Sequence, residues 1–190
     1  MSPVRPHSSP LDPHPRSIFK DIPPRDHDVI LWVRAFFPEL DDVTITFKLM
    51  KSSRYLGICE WERNMIRLTR KACAQKGVIA HELTHMASHH CGGIPKGEKA
   101  CEIWTLARSP LLNDVQPSYL DIPRSVKQRW SRDDARALSD LARTAIRLRE
   151  EGKRQYIRWF EENARNADVY INGASSSGLR WARISGPASI

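Results

Sequence analysis

The sequence predicts an α+β fold: a small, antiparallel-dominated sheet packed on a helix with two histidines and a helix with two glutamates, plus an added C-terminal helical segment. Three observations predict it. Alternating, β-branched runs crowd residues 43–69. His81-Glu82-Leu83-Thr84-His85 lies among apolar residues at helical spacing, and a second helical periodicity begins near Ser131. A chain of 190 residues can bury one sizeable core with an appendage, which makes two full domains unexpected.

Taken in order, residues 1–25 carry Pro3, Pro6, Pro10, Pro13, Pro15, Pro23 and Pro24 and read as a disordered or extended lead-in. They lack the apolar run of a secretory signal, and no stretch of the chain has the apolar length of a membrane span. Asp26 to Phe37 has Val29, Ile30, Val33, Phe36 and Phe37 at helical spacing, stopped by Pro38. Val43 to Met50 alternates as a strand does. Arg54 to Trp61 and Met65 to Thr69 follow as two more, joined at Glu62-Arg63-Asn64, where Asn tolerates a left-handed turn. A helix near 76–90 presents Val78, Ile79, Leu83 and Met86 to a core and ends before Gly92-Gly93.

A second helix is expected from Glu98 to Arg108, stopped by Pro110, and then a proline-rich loop to residue 124. Ser131, with Asp134 three residues on, caps a helical segment that runs to Ala164 with a break at Gly152. Residues 26–124 thus form the main domain and 125–166 a basic amphipathic appendage. Residues 167–190, with Ser175-Ser176-Ser177-Gly178, read as a flexible tail.

The chemistry is concentrated in the histidine helix. Residues four apart lie one turn above each other, so His81 and His85 can hold one metal ion while Glu82 leans over a water. That is the layout of a zinc hydrolase, with Glu82 taking a proton from the attacking water and passing it to the leaving amine. A third ligand is required. His89 shares the stripe but lies about 12 Å from His81 on a straight helix. An arrangement with a helix-ending glycine three residues after His85 and a His or Asp ligand three residues further on is excluded, because Ser88 and Cys91 stand at those places. Cys91 could still approach the metal, its alternative being a buried structural thiol. Glu98 and Glu102, one turn apart, both stand as third ligand, with the other free to orient a ligand imidazole through its free N–H. Tyr119, His89 and His90 are candidates to stabilise an oxyanion.

With three strands before the HExxH helix and a glutamate helix after it, the sequence over roughly 26–122 resembles the compact gluzincin metallopeptidases, especially the minigluzincins. The resemblance implies a zincin-like fold and Zn2+ held by His81, His85 and Glu98. It also implies Glu82 as general base, Glu102 orienting a ligand histidine, and a peptide or protein substrate lying extended along a sheet edge. Glu102 stands where that family usually has Asp. Minigluzincins can also carry a C-terminal segment that folds over the cleft and holds the enzyme latent, and residues 125–190 are long enough for that. Two alternatives are a DNA-associated SprT-like protease, which would lack its cysteine-rich ribbon here, and a non-enzymatic zinc-binding interaction protein on the same scaffold.

Cys59, Cys73, Cys91 and Cys101 are scattered without a CxxC pair, which points to a reducing, cytoplasmic setting. The formal charge is +8 with pI ≈ 9.6. Arg132, Arg136, Arg143, Arg147, Arg154 and Arg158 cluster on one side of the C-terminal segment, opposite Leu138, Leu141, Ala145, Leu148, Tyr156 and Phe160. Such a face can meet nucleic acid. Interleaved acids, Asp140 four after Arg136 and Glu162 four after Arg158, fit a solvated surface equally well.

Overall fold

The structure, a computed structural model, describes residues 17–173 apart from Ser53 and Arg129. The proline-rich lead-in up to residue 16 and residues from 174 onward lie outside the described residues; the tail expected from 167 is corrected in part, because 167–173 continue the helix Tyr156–Gly173.

Four strands, β1 (Ser17–Lys20), β2 (Ile45–Leu49), β3 (Gly57–Glu60) and β4 (Met65–Leu68), form one sheet in the order β1-β2-β4-β3. The sheet is mixed, which corrects the antiparallel-dominated expectation: β1–β2 and β2–β4 are parallel, and β3–β4 is antiparallel. Alternation in a sequence reports which side chains share a face; it carries no information on a partner's direction. The lead-in is also shorter than expected, because Ser17 to Lys20 are an edge strand in register with Ile45 to Lys48. The buried Arg34 fastens that strand. Its Nη1 donates to Ser17 Oγ (2.8 Å), and its Nη2 donates to the carbonyls of Leu40 and Val43.

Helix α1 (Pro24–Arg34) makes the crossover between β1 and β2, starting on a proline whose missing N–H costs nothing in a first turn. Asn64, at φ 47°, closes the turn between β3 and β4 as its residue type predicts. The histidine helix α2 (Lys76–His90) lays Ile79, Leu83 and Met86 into a core shared with Phe47, Ile66 and Leu68, all fully buried. Glycines at positions 92, 93 and 97, all at positive φ, then reverse the chain into α3 (Glu98–Arg108).

A second core lies beyond α3. There Ile103 and Leu106 meet Leu138, Leu141 and Ala145 of α5 (Arg132–Glu150) and Tyr156 and Phe160 of α6 (Tyr156–Gly173), with Leu120 and Ile122 of the intervening loop. The Ser131–Asp134 capping box begins α5, and the break falls at Gly152, φ 96°, as expected. A short helix α4 (Arg124–Gln128) interrupts the predicted loop. Asp140 pairs with Arg143 instead of Arg136, and Arg158 with Glu162 as the spacing predicts. Among the described residues no helix is long and apolar enough to cross a membrane.

Candidate metal centre

The centre is built across the two helices α2 and α3. Helix α2 lacks a side-chain cap from its own N-cap residue; Asp114, from the loop after α3, accepts the N–H groups of Lys76 and Gly77 instead (2.9 and 2.8 Å). With its apolar face sunk in the first core, α2 turns His81 and His85 toward α3, their side chains 12% and 17% exposed.

Glu98 is the acid that meets them. Its Oε2 lies 3.0 Å from His81 Nε2 and 3.2 Å from His85 Nε2, and the two Nε2 atoms are 3.1 Å apart. Donors bound tetrahedrally at ~2.05 Å stand ~3.3 Å from one another, so this triangle fits a zinc-sized ion. Three lone-pair-bearing atoms so close also repel unless a proton or a cation lies among them. His81, His85 and Glu98 can therefore hold a metal ion. The chain between His85 and Glu98 is long enough to turn back: seven extended residues, 91–97, reach up to ~23 Å, whereas His90 is only ~8 Å along the helix from His85.

The electrostatics agree with that grouping. Burial lowers the affinity of His81 for a proton, but its bond to Glu98 and the charges of Glu82, Glu102 and Glu98 outweigh burial and raise its pKa. Burial, with the neighbouring His81, pushes His85 down. The bond from His81 holds the Glu98 carboxyl at about 2, against the effect of burial.

Glu102 does not take either role expected of it. Its two oxygens accept the backbone N–H groups of Ser118 (2.7 Å), Tyr119 (2.7 Å) and Leu120 (3.0 Å), and it reaches His81 through its charge alone. The orienting group beneath His85 is Cys101 instead, with Sγ 3.3 Å from Nδ1. Burial, then Glu98 and Glu82, push that thiol up to about 12, so it keeps its proton. It can accept the imidazole N–H while donating to Pro95 O (3.9 Å). Nothing in the spacing singles out a cysteine for this place.

Glu82 is 7% exposed, and the backbone N–H of Cys59 on β3 favours its charged form. Burial, the largest influence, pushes it up to about 7. Gly57 makes the approach possible, since a Cβ there would lie 2.5 Å from Glu82 Oε1. Tyr119 lays its ring on His81, centroids 5.4 Å apart and planes 16° apart, and burial with the charges of Glu98, Glu82 and Glu102 pushes its hydroxyl up to about 12.

The other candidates are occupied elsewhere. His89 stacks on Trp61 (3.9 Å) and His90 pairs with Asn64 Oδ1 (2.7 Å), so both brace the β3–β4 turn. Cys91 is neither in the donor group nor buried; its exposed thiol donates to Glu39 O (3.4 Å). The expected cover over the cleft is not seen in the described part of the C-terminal segment. Helices α5 and α6 pack on the other face of α3, and the Glu98 side chain stays 50% exposed.

Comparisons with protein-family models, with curated proteins and with solved structures give no match to this chain.

Proposed function

We propose that this chain is a zinc-dependent peptidase of zincin type, with His81, His85 and Glu98 as metal ligands and Glu82 as general base. The observation that carries the reading is the triangle of three donors with a carboxylate of raised pKa on the residue beside His81. Zinc suits a two-imidazole, one-carboxylate set and, when bound, would acidify a water and polarise a carbonyl.

The protein's own groups supply the proton traffic. Glu82, with a pKa near the working pH, takes the proton of the attacking water and returns it to the departing amine. The Tyr119 hydroxyl keeps its proton and donates a hydrogen bond to the carbonyl oxygen as negative charge gathers there. Cys101 holds His85 in the tautomer that leaves Nε2 free to bind metal.

Metal analysis and a broad peptide-cleavage screen on the wild type and Glu82→Gln test this reading. The variant should hold one zinc per chain, as the wild type does, and lose about 1,000-fold in kcat. Stoichiometric zinc with no cleavage by the wild type would overturn the peptidase assignment, and undiminished cleavage by Glu82→Gln would remove Glu82 from the chemistry.

A further inference from the structure

We propose that Glu102 and Glu161 are positioning residues that together hold Tyr119 over His81, which makes the C-terminal helices a working part of the site. The inference rests on the reading above, in which the Tyr119 hydroxyl meets the reacting carbonyl.

The loop at 118–121 belongs to no helix or strand, yet four consecutive backbone N–H groups end on two buried carboxylates. Glu102 of α3 accepts the first three, from Ser118, Tyr119 and Leu120. Glu161 of α6 accepts the fourth, from Asp121, at 2.9 Å. A loop usually gives such groups to water; bonds to a charged acceptor are about twice as strong as neutral ones and fix the backbone.

Glu161 is itself held by Lys99 Nζ at 2.6 Å, the residue after the ligand Glu98. Further ties close the arrangement. Arg165 of α6 pairs with the Asp121 carboxylate, and Lys127 Nζ donates to Leu120 O. Leu120 and Ile122 are sunk in the second core, while Tyr119 between the pinned positions is 43% exposed and faces His81. With its backbone fixed, the ring keeps only its side-chain torsions, and the hydroxyl's place is set by α3 and α6 together. Glu161 lies far along the chain from the metal-binding residues. Its part in the site follows from packing alone.

The test uses full-length zinc-loaded protein as wild type, Tyr119→Phe, Glu102→Ala, Glu161→Ala and the double variant of Tyr119 and Glu161. On a peptide that the wild type cleaves, Tyr119→Phe and Glu102→Ala should each lower kcat by about 100-fold, and Glu161→Ala by about 10-fold. In the Tyr119→Phe background, Glu161→Ala should cost no more than about twofold, because its effect passes through the tyrosine. Zinc affinity should stay within about threefold in every variant, since neither glutamate touches a ligand atom. Amide exchange should quicken at 118–121 and stay unchanged in α2. A Glu161→Ala loss that is as large without the Tyr119 hydroxyl overturns the proposal. If the wild type cleaves no peptide, the peptidase reading fails and the positioning claim is still decided. Unchanged exchange at 118–121, together with an unmoved 19F signal from 3-fluorotyrosine at position 119, in Glu102→Ala and Glu161→Ala then refutes it. Glu102→Gln and Glu161→Gln, which keep the shape and lose the charge, take the place of any alanine variant that does not fold.

Discussion

The two cores on either side of the α2–α3 seam contribute to the candidate metal centre in different ways. The sheet-side core grips α2 through fully buried Ile79, Leu83 and Met86, and thereby sets both histidines and Glu82 with little freedom. The helical core grips α3 through Ile103 and Leu106, but the ligand it offers is Glu98, in the first turn and half exposed. Between them run polar contacts. Thr84 and Thr105 touch through their hydroxyls at 2.9 Å, and each hydroxyl also reaches a carbonyl four residues back in its own helix. The lesson is a division of labour: two of the candidate ligands are placed in advance by close packing, and the third is brought by a helix end that can adjust.

The strongest way to break this comparison is to damage one core and read the other. Phe160→Ala, at a fully buried position of the helical core, should cost about 3–5 kcal/mol in denaturant titrations. Its zinc affinity in the folded state should remain within about threefold, whereas Leu83→Ala should weaken zinc by at least about 10-fold along with stability. Equal effects of the two on zinc would show that the cores place ligands in the same way. Next in size is the metal itself. Zinc at roughly a thousand times its Kd should raise wild-type stability by about 4 kcal/mol, and Glu98→Ala should lose most of that gain in thermal melts with and without chelator.

A smaller effect concerns Glu82 in the metal-free chain. Its folded pKa of about 7 lies above the ordinary 4.5. Its contribution to stability is therefore greatest below pH 4.5 and is lost as pH rises through 7. Gln never carries that charge, so Glu82→Gln should stabilise the metal-free protein by about 2–3 kcal/mol at pH ~8 and hardly at all near pH 4.5. A pH-independent difference would show that Glu82 is ionised in the fold without penalty. Glu98, held at about 2, has the opposite sign: it stabilises above pH 4.5 and loses that contribution as pH falls toward 2. Smallest of all, Thr105→Val should cost about 1 kcal/mol by removing the seam hydroxyl, with zinc affinity unchanged. A large zinc effect there would mean that the seam, more than the cores, sets the ligands.

What could be read in advance follows from range. Helices α2, α3 and α5 were legible because periodicity, the glycines after His90 and the Ser131–Asp134 box act within a few residues. His81 and His85 were legible as a pair of donors because one ion needs ligands a helical turn apart, with Glu82 beside them. The spacing left the third ligand open between Glu98 and Glu102, and only the fold brings Glu98 to the pair. The parallel pairings, the strand hidden beside the prolines and the three amides taken by Glu102 depend on segments distant in the chain. So do Cys101 under His85 and Glu161 on the Tyr119 loop, joined across 16 and 40 positions.

Gly57 has a consequence for heredity. It carries no side chain of its own, yet its α-carbon lies so close to Glu82 that even a methyl group would displace the carboxylate. If Glu82 has the proposed role, descendants of this chain that keep it should vary freely at exposed neighbours such as Tyr55 and Leu56 and hold glycine at 57. A lineage that lost that glycine would have to move the Glu82 carboxylate, whatever its histidines still spelled.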